Sequence, residues 1–323
     1  MALLLNHDEV CASVTMLDAI EAMEIAFREQ GEGSVTQPPR LNTKAGKGWL
    51  RIGPAVMERS GWMGFKAMNL APGHGVRYQV HLYHVANGEL AAIMDAQHLT
   101  TLRTGASSAV ATRRLARPEP TTIGVLGSSV EARAQLEAMH ALGLVSSARV
   151  YSPTRANRER FALDYSRAWG IEVVPVSDER EAVDGCRIIV AAVKSAKTAL
   201  LGEWLAPGTH VNSVGTARPD QREIDPNTFQ RSAVVVVDTR EGVFGEAGDA
   251  IAAKDVISRD SVYELAELVT GRAPSRTRPD QITLFKSVGT ALQDIAVAAR
   301  IYERAREKEL GTEIGSFPFV KRL

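Results

Sequence analysis

Apolar positions change rhythm near Pro120 of this 323-residue chain. Upstream, Met16, Leu17, Ile20, Met23 and Phe27 recur at helical spacing, which predicts a helix over 15–30 ended by Gly31-Glu-Gly33. A stretch punctuated by proline and glycine follows. It predicts strands at 64–69, 78–85 and 89–95, with a tight turn at Ala86-Asn-Gly88. A helix over 96–115 then runs to a boundary at Arg117-Pro-Glu-Pro120. Downstream, short apolar runs at 121–126, 148–152, 171–176, 187–193, 210–214 and 233–238 alternate with helical patterns. That alternation is the signature of a doubly wound parallel sheet. A further run at 282–285 precedes a terminal helix from 290 towards 310, stopped by Gly311. The predicted class is α/β: a Rossmann-type doubly wound parallel sheet over 119–289, with a separate α+β domain over 1–118 to which the terminal segment 290–323 returns. Ligands of such sheets bind at the carboxyl ends of the strands, here facing an expected cleft between the domains.

Candidate chemistry enters at Gly127. A β-branched run over 121–126 ends there, a helical pattern (Val130, Ala134, Leu136, Met139) starts at once, and an apolar run follows at Ala148. Strand, glycine turn, helix and strand in that order describe a dinucleotide site, where free backbone N–H groups and the positive helix end receive a phosphate. Gly127, Ser128, Ser129 and Val130 are the candidate cofactor contacts. The G-x-G-x-x-G/A fingerprint is met at Gly127 and Ala132, but Ser129 replaces the second glycine. Its side chain is small, and its hydroxyl could bond a phosphate oxygen; a plain strand-to-helix turn is the alternative. The second strand ends Tyr151-Ser152-Pro-Thr154-Arg155, without the acid that bonds a ribose 2′-hydroxyl. Two hydroxyls and an arginine fork suit a 2′-phosphate, so NADP(H) is expected ahead of NAD(H) through Ser152, Thr154 and Arg155. The alternative leaves Arg155 as a solvated first-turn residue.

Composition narrows the classes. Apolar residues make up 45% and charged residues 24%, with zero formal net charge, as in ordinary globular domains. There is no basic excess for nucleic acid or an anionic membrane, and no apolar run of transmembrane length. The opening Met-Ala-Leu-Leu-Leu lacks a basic leader region, so a cytoplasmic location is expected. Cys11 and Cys186 show no paired ligand spacing, and His81 and His84 fall on opposite faces of a strand; no metal site is expected. Three cations occupy unusual places: Lys66 in an apolar strand, Arg103 at the front of an alanine-rich helix, and Arg40 after a Pro-Pro pair. In a cleft they would bind a carboxylate, and a partly buried lysine also transfers protons; a structural role for each is the other reading. Trp204 reads as a packing residue, and the carboxylates of Gly245-Glu-Ala-Gly-Asp249 as helix caps.

Several stretches together resemble the ornithine cyclodeaminase/mu-crystallin family. They are Gly64-Phe-Lys66, the segment from Met94 to Ser108, Gly124 to Gln135, Leu201 to Asn212, Arg218 to Asp225, Glu246-Ala-Gly-Asp249 and Phe285-Lys-Ser-Val-Gly289. They follow the family's order over nearly the whole chain. The resemblance implies a homodimer, with the α+β domain forming the dimer interface and most of the substrate pocket. It implies use of NAD(H) or NADP(H) on small amino or imino acids. By motif match, Arg40, Lys66 and Arg103 would hold the substrate carboxylate, and Lys66 would give or take the proton. Val288 and Gly289 would line the substrate end, and Arg103, Thr104, Val214 and Ser287 would join the cofactor contacts.

Two departures matter. Cyclodeaminases and the family's alanine dehydrogenases carry an aspartate where this chain has Ala217, within Gly215-Thr-Ala-Arg-Pro-Asp-Gln-Arg-Glu-Ile-Asp225. Ala217 cannot assist an amine or a water, and Asp220 lies three residues on. The pattern resembles the mu-crystallin branch, whose enzymes reduce cyclic ketimines. Gly53, in Ile52-Gly-Pro54, stands where the family commonly carries methionine and leaves more room. The expected function is NAD(P)H-dependent reduction of a small imino acid such as Δ1-pyrroline-2-carboxylate. The alternatives are an ornithine cyclodeaminase or amino-acid dehydrogenase, and an NADP(H)-dependent small-ligand-binding protein without turnover.

Overall fold

A computed structural model describes residues 2–315. The end of the expected dimerisation domain, 316–323, lies outside the described residues. The chain opens with β1 (Leu3–Leu5), α1 (His7–Ser13) and α2 (Met16–Gly31). Asn6 and Thr15 start the two helices with reciprocal capping boxes to Glu9 and Asp18. Then come β2 (Val35–Thr36), β3 (Leu41–Ala45), β4 (Gly48–Met57), β5 (Trp62–Ala71), β6 (Gly75–His84), β7 (Leu90–Asp95) and α3 (Gln97–Leu115). The Leu-Leu-Leu run at the start, in which the sequence reading placed no element, is a strand: β1 pairs parallel with β7, and its ends are buried while Leu4 is exposed.

The alternating half follows. It contains β8 (Thr121–Leu126), α4 (Val130–Ala141), β9 (Val145–Tyr151), α5 (Arg155–Trp169), β10 (Glu172–Pro175), α6 (Glu179–Val183) and β11 (Ile188–Ala191). After these come β12 (His210–Ser213), α7 (Pro226–Arg231), β13 (Ser232–Val237), α8 (Arg240–Glu246) and α9 (Gly248–Ala252). β14 (Tyr263–Glu264), α10 (Leu265–Val269) and β15 (Ile282–Lys286) complete it, before α11 (Ala291–Glu307) and β16 (Thr312–Glu313).

The chain divides into two compact units, the first formed by residues up to Arg103 and from Thr290 onward, the second by Thr104–Gly289. α3 crosses the division. In the first unit the sheet order is β16-β1-β7-β6-β5-β4-β2, with β3 on β4. The long β4, β5 and β6 pair antiparallel. Their inward residues, Ala55, Met57, Val80 and Leu82, are buried. Gly64 shares this face: a Cβ there would collide with the His81 carbonyl and press on Ile295 of α11. The last helix therefore packs directly on the middle strands.

In the second unit the order is β10-β9-β8-β11-β12-β15-β13-β14, with every pair parallel. This is the doubly wound sheet expected from the alternation. The winding reverses between β8 and β11, so the switch point lies at the carboxyl end of β8. Gly127 sits there with φ of 112°. A Cβ would come within 2.6 Å of the Ala192 carbonyl oxygen, so only glycine fits the turn.

A fully buried charge cluster ties the carboxyl ends of β12 and β15 to α9. The Lys286 ammonium lies 2.5 Å from Asp249 and 3.3 Å from Glu223. It also bonds the Ser213 and Thr216 hydroxyls at 2.9 and 2.8 Å. Glu223 accepts from the backbone N–H groups of Val193 and Gly215, at 2.9 and 2.8 Å. Burial alone would strip the Lys286 proton, but the two carboxylates hold it above the usual lysine range. The expectation that Asp249 caps a helix is corrected here: it stands inside α9 and serves as a counter-ion. Trp204 packs against the apolar core of this unit.

Candidate active site

Three cations and one carboxylate gather in the first unit. Lys66 lies at the middle of β5, inward, paired with Gly53 on β4 and Val80 on β6. Its Nζ donates to Asp294 of α11 at 2.7 Å and to the Thr100 hydroxyl at 3.3 Å. Arg103, on α3, brings its Nε to 3.2 Å from the same Asp294 oxygen and donates through a terminal nitrogen to Gln293 Oε1 at 2.8 Å. Lys66, Arg103 and Asp294 are all buried. Arg40 is half-buried and near enough to disfavour the Lys66 ammonium by repulsion. Burial is the largest influence on Lys66. It outweighs the attraction of Asp294, and Arg103 and Arg40 act with it, so the ammonium titrates at about 7 instead of 10.5. A lysine so placed exchanges its proton near neutral pH. Two buried polar atoms at the start of α11, Thr290 Oγ1 and Gln293 Nε2, have no hydrogen-bond partner. An orphaned buried donor or acceptor costs roughly 1–3 kcal/mol, and a polar ligand would relieve it.

The second unit holds the turn residues. Ser129 is the N-cap of α4, yet its side chain makes no cap bond and instead donates to Glu131 at 2.9 Å. Ser128 donates to the buried Ser152 at 2.9 Å, linking the carboxyl ends of β8 and β9. Val130 is exposed at the first position of the 12-residue α4. An obligatory glycine and a helix start uncapped by its own side chain fit a dinucleotide phosphate. Thr154 precedes α5 and Arg155 opens it; both are exposed, and Arg155 pairs with Glu159 one turn on, at 2.7 Å.

At the far end of the sheet, Asp238 directly follows β13 and is fully buried. One of its oxygens accepts from the Ser287 hydroxyl at 2.8 Å and from the Val288 and Gly289 N–H groups at 2.9 and 2.6 Å. Ser287, Val288 and Gly289 thus form one fixed turn. Thr104 is buried on α3, and its carbonyl accepts from Gln135 at 3.0 Å. Val214 follows β12, held by its N–H to the Ala191 carbonyl at 2.9 Å. Asp220 is exposed and forked by Arg218 at 3.0 and 2.7 Å. Among the described residues no group of three or more His, Cys, Asp or Glu side chains could hold a metal ion, and no helix is long and apolar enough to cross a membrane.

The pattern of the ornithine cyclodeaminase/mu-crystallin family matches residues 2–309. The chain belongs to this family. It is 32% identical to the ketimine reductase mu-crystallin of Mus musculus, over 92% of this chain and 94% of that one. The Δ1-pyrroline-2-carboxylate reductase of Thermococcus litoralis, solved with NADH and L-proline, superposes with a TM-score of 0.91 at 35% identity, covering 97% and 100% of the two chains. An archaeal alanine dehydrogenase dimer with bound NAD gives a TM-score of 0.91 at 31% identity, covering 98% and 99%.

In this family member the sequence reading missed Asp294, Gln293, Asp238 and Lys286. Asp294 carried a signal, since the spacing of Ala291, Ile295, Ala298 and Ile301 places it on the buried side of its helix. Lys286 carried the same mark as Lys66, a cation in an apolar strand. Asp294→Asn removes the attraction that favours the Lys66 ammonium, so the Lys66 titration near 7 should move to lower pH. Side-chain NMR of lysine-labelled protein reads this directly; an upward or absent shift would refute the pairing.

Proposed function

We propose that this chain reduces a small cyclic ketimine, such as Δ1-pyrroline-2-carboxylate or Δ1-piperideine-2-carboxylate, to the L-amino acid, preferring NADPH to NADH. The class of reaction, NAD(P)-dependent chemistry on a carbon–nitrogen bond, comes with the family. The observation that carries the reading is the buried Lys66–Asp294–Arg103 group. A substrate carboxylate suits Arg40 and Arg103, whose guanidinium forks bind carboxylates with defined geometry. Lys66 has three N–H donors; Asp294 and Thr100 take two, which leaves one for the imine nitrogen. A reduced nicotinamide, when bound, would supply a hydride to the imine carbon. Lys66, or water that it orients, would give a proton to the imine nitrogen as that atom takes up the C=N electron pair. Ala217, half-buried and unable to exchange a proton, favours this reading over a cyclodeaminase.

The NADP(H) preference rests on Ser152, Thr154 and Arg155 at the end of β9. The homodimer rests on the outward face of the first unit's sheet, where Leu41 and Leu50 are 62% and 41% exposed and Phe65 stacks on His81. Exposed apolar side chains gathered on one sheet face are one mark of a protein–protein contact.

Four measurements test these statements. Purified protein should oxidise NADPH with a cyclic ketimine faster than with pyruvate plus ammonia. Release of ammonia from L-ornithine with no net formation of NADH would instead mean a cyclodeaminase, net reduction of NAD⁺ by an amino acid a dehydrogenase, and tight NADPH binding with no turnover a binding protein. Lys66→Met should lower kcat about 100-fold or more while NADPH affinity stays within about twofold; near-normal turnover would sink the role of Lys66. Arg155→Ala should weaken NADPH about tenfold and leave NADH alone, as expected for one lost charge-assisted bond; equal affinity would reject the assignment. Sedimentation should give twice the 34.9 kDa chain mass, and a 34.9 kDa species would exclude the dimer.

A further inference from the structure

Strand glycines in this protein differ in what they allow. A Cβ at Gly48, Gly64 or Gly124 would collide with the carbonyl oxygen of Leu70, His81 or Ala182, so strand or helix packing requires glycine there. Gly53 is not of this kind. It lies in regular β4 without a positive φ. A Cβ there would meet only Ala291 Cβ at 3.4 Å and Arg40 Cγ at 3.5 Å, which is ordinary van der Waals contact. Neither backbone conformation nor packing calls for glycine, so the reason lies in what the position faces.

It faces the cation site. Gly53 is buried and stands directly opposite Lys66 in the β4–β5 ladder. Opposed residues of an antiparallel pair project to the same face with Cβ atoms about 5 Å apart. A side chain at 53 would therefore grow alongside Lys66, between the aliphatic stem of Arg40 and the first residue of α11. The surfaces it would touch, a methyl and a methylene, are apolar. That is the environment for ring carbons, placed next to the groups that suit a carboxylate and an imine nitrogen.

We propose that Gly53 is a specificity-determining position, whose missing side chain makes room beside Lys66 for the extra ring carbon of a six-membered cyclic imino acid. The proposal rests on the imine-reductase reading. One methylene in an apolar pocket typically changes kcat/KM about 10- to 200-fold, so the effect is measurable.

The test compares kcat/KM for Δ1-piperideine-2-carboxylate and Δ1-pyrroline-2-carboxylate in the native protein, Gly53→Ala and Gly53→Met. The six-ring to five-ring ratio should fall in that order, about tenfold or more for Gly53→Met, chiefly through KM. NADPH affinity and melting temperature show that each variant is folded, and the Cβ of Gly53→Ala fits without displacement. A ratio that stays constant while both imines are still reduced would overturn the role of Gly53 and leave the reductase reading intact. If the native protein reduces neither imine, the reductase reading fails and the proposal falls with it.

Discussion

An ammonium group removed from water requires a carboxylate nearby, or the proton leaves and the interior holds a neutral amine. The Lys66–Asp294 contact meets that requirement across 228 residues of chain. Much else follows from it. α11 must lie under β4 and β5 in one register, because a shift by a single residue would carry Asp294 round the helix, away from the lysine. Arg103 must leave β7 through α3 at an angle that brings its Nε to the same oxygen. One carboxylate thus fixes the relation of a strand and two helices. It leaves two cations buried against the same carboxylate oxygen.

The same economy appears in the second unit. There one lysine serves two carboxylates, Glu223 and Asp249, and the cluster holds the ends of β12 and β15 against α9. Asp238 does the corresponding work with backbone N–H groups for the turn at 287–289. The stretch Phe285-Lys-Ser-Val-Gly289 therefore has two parts. Its lysine points into the scaffold, and the three residues after it form the turn that the family resemblance assigns to the ligands.

Legibility in the sequence followed physical contrast. The parallel sheet was readable because its buried strands are short β-branched runs separated by helical periods. Lys66 and Arg103 stood out because a charge in an apolar run is costly. Gly127 stood out because a strand that passes straight into a helix needs a tight turn, and glycine reaches the positive φ of such a turn without strain. β1 and the β3–β4 hairpin were less visible: β1 is three residues long and β3 is exposed along its whole length, so neither shows a clean alternation. The partners of the cations were invisible as partners, since pairing 66 with 294, or 286 with 223 and 249, is a property of topology. Arg155 lies between these cases. The arginine was legible, and so in principle was its competitor Glu159, one helical turn along.

The first unit is assembled from both ends of the described chain, with the second unit's continuous run between them. During synthesis the residues of the second unit leave the ribosome before α11 does, and domains generally fold as they emerge. β5 must wait, its lysine still hydrated, until the last helix is made. When α11 docks, it removes water from Lys66 and delivers Asp294 in the same movement. The chain order thereby leaves the Lys66 ammonium open to water until its counter-ion has been made.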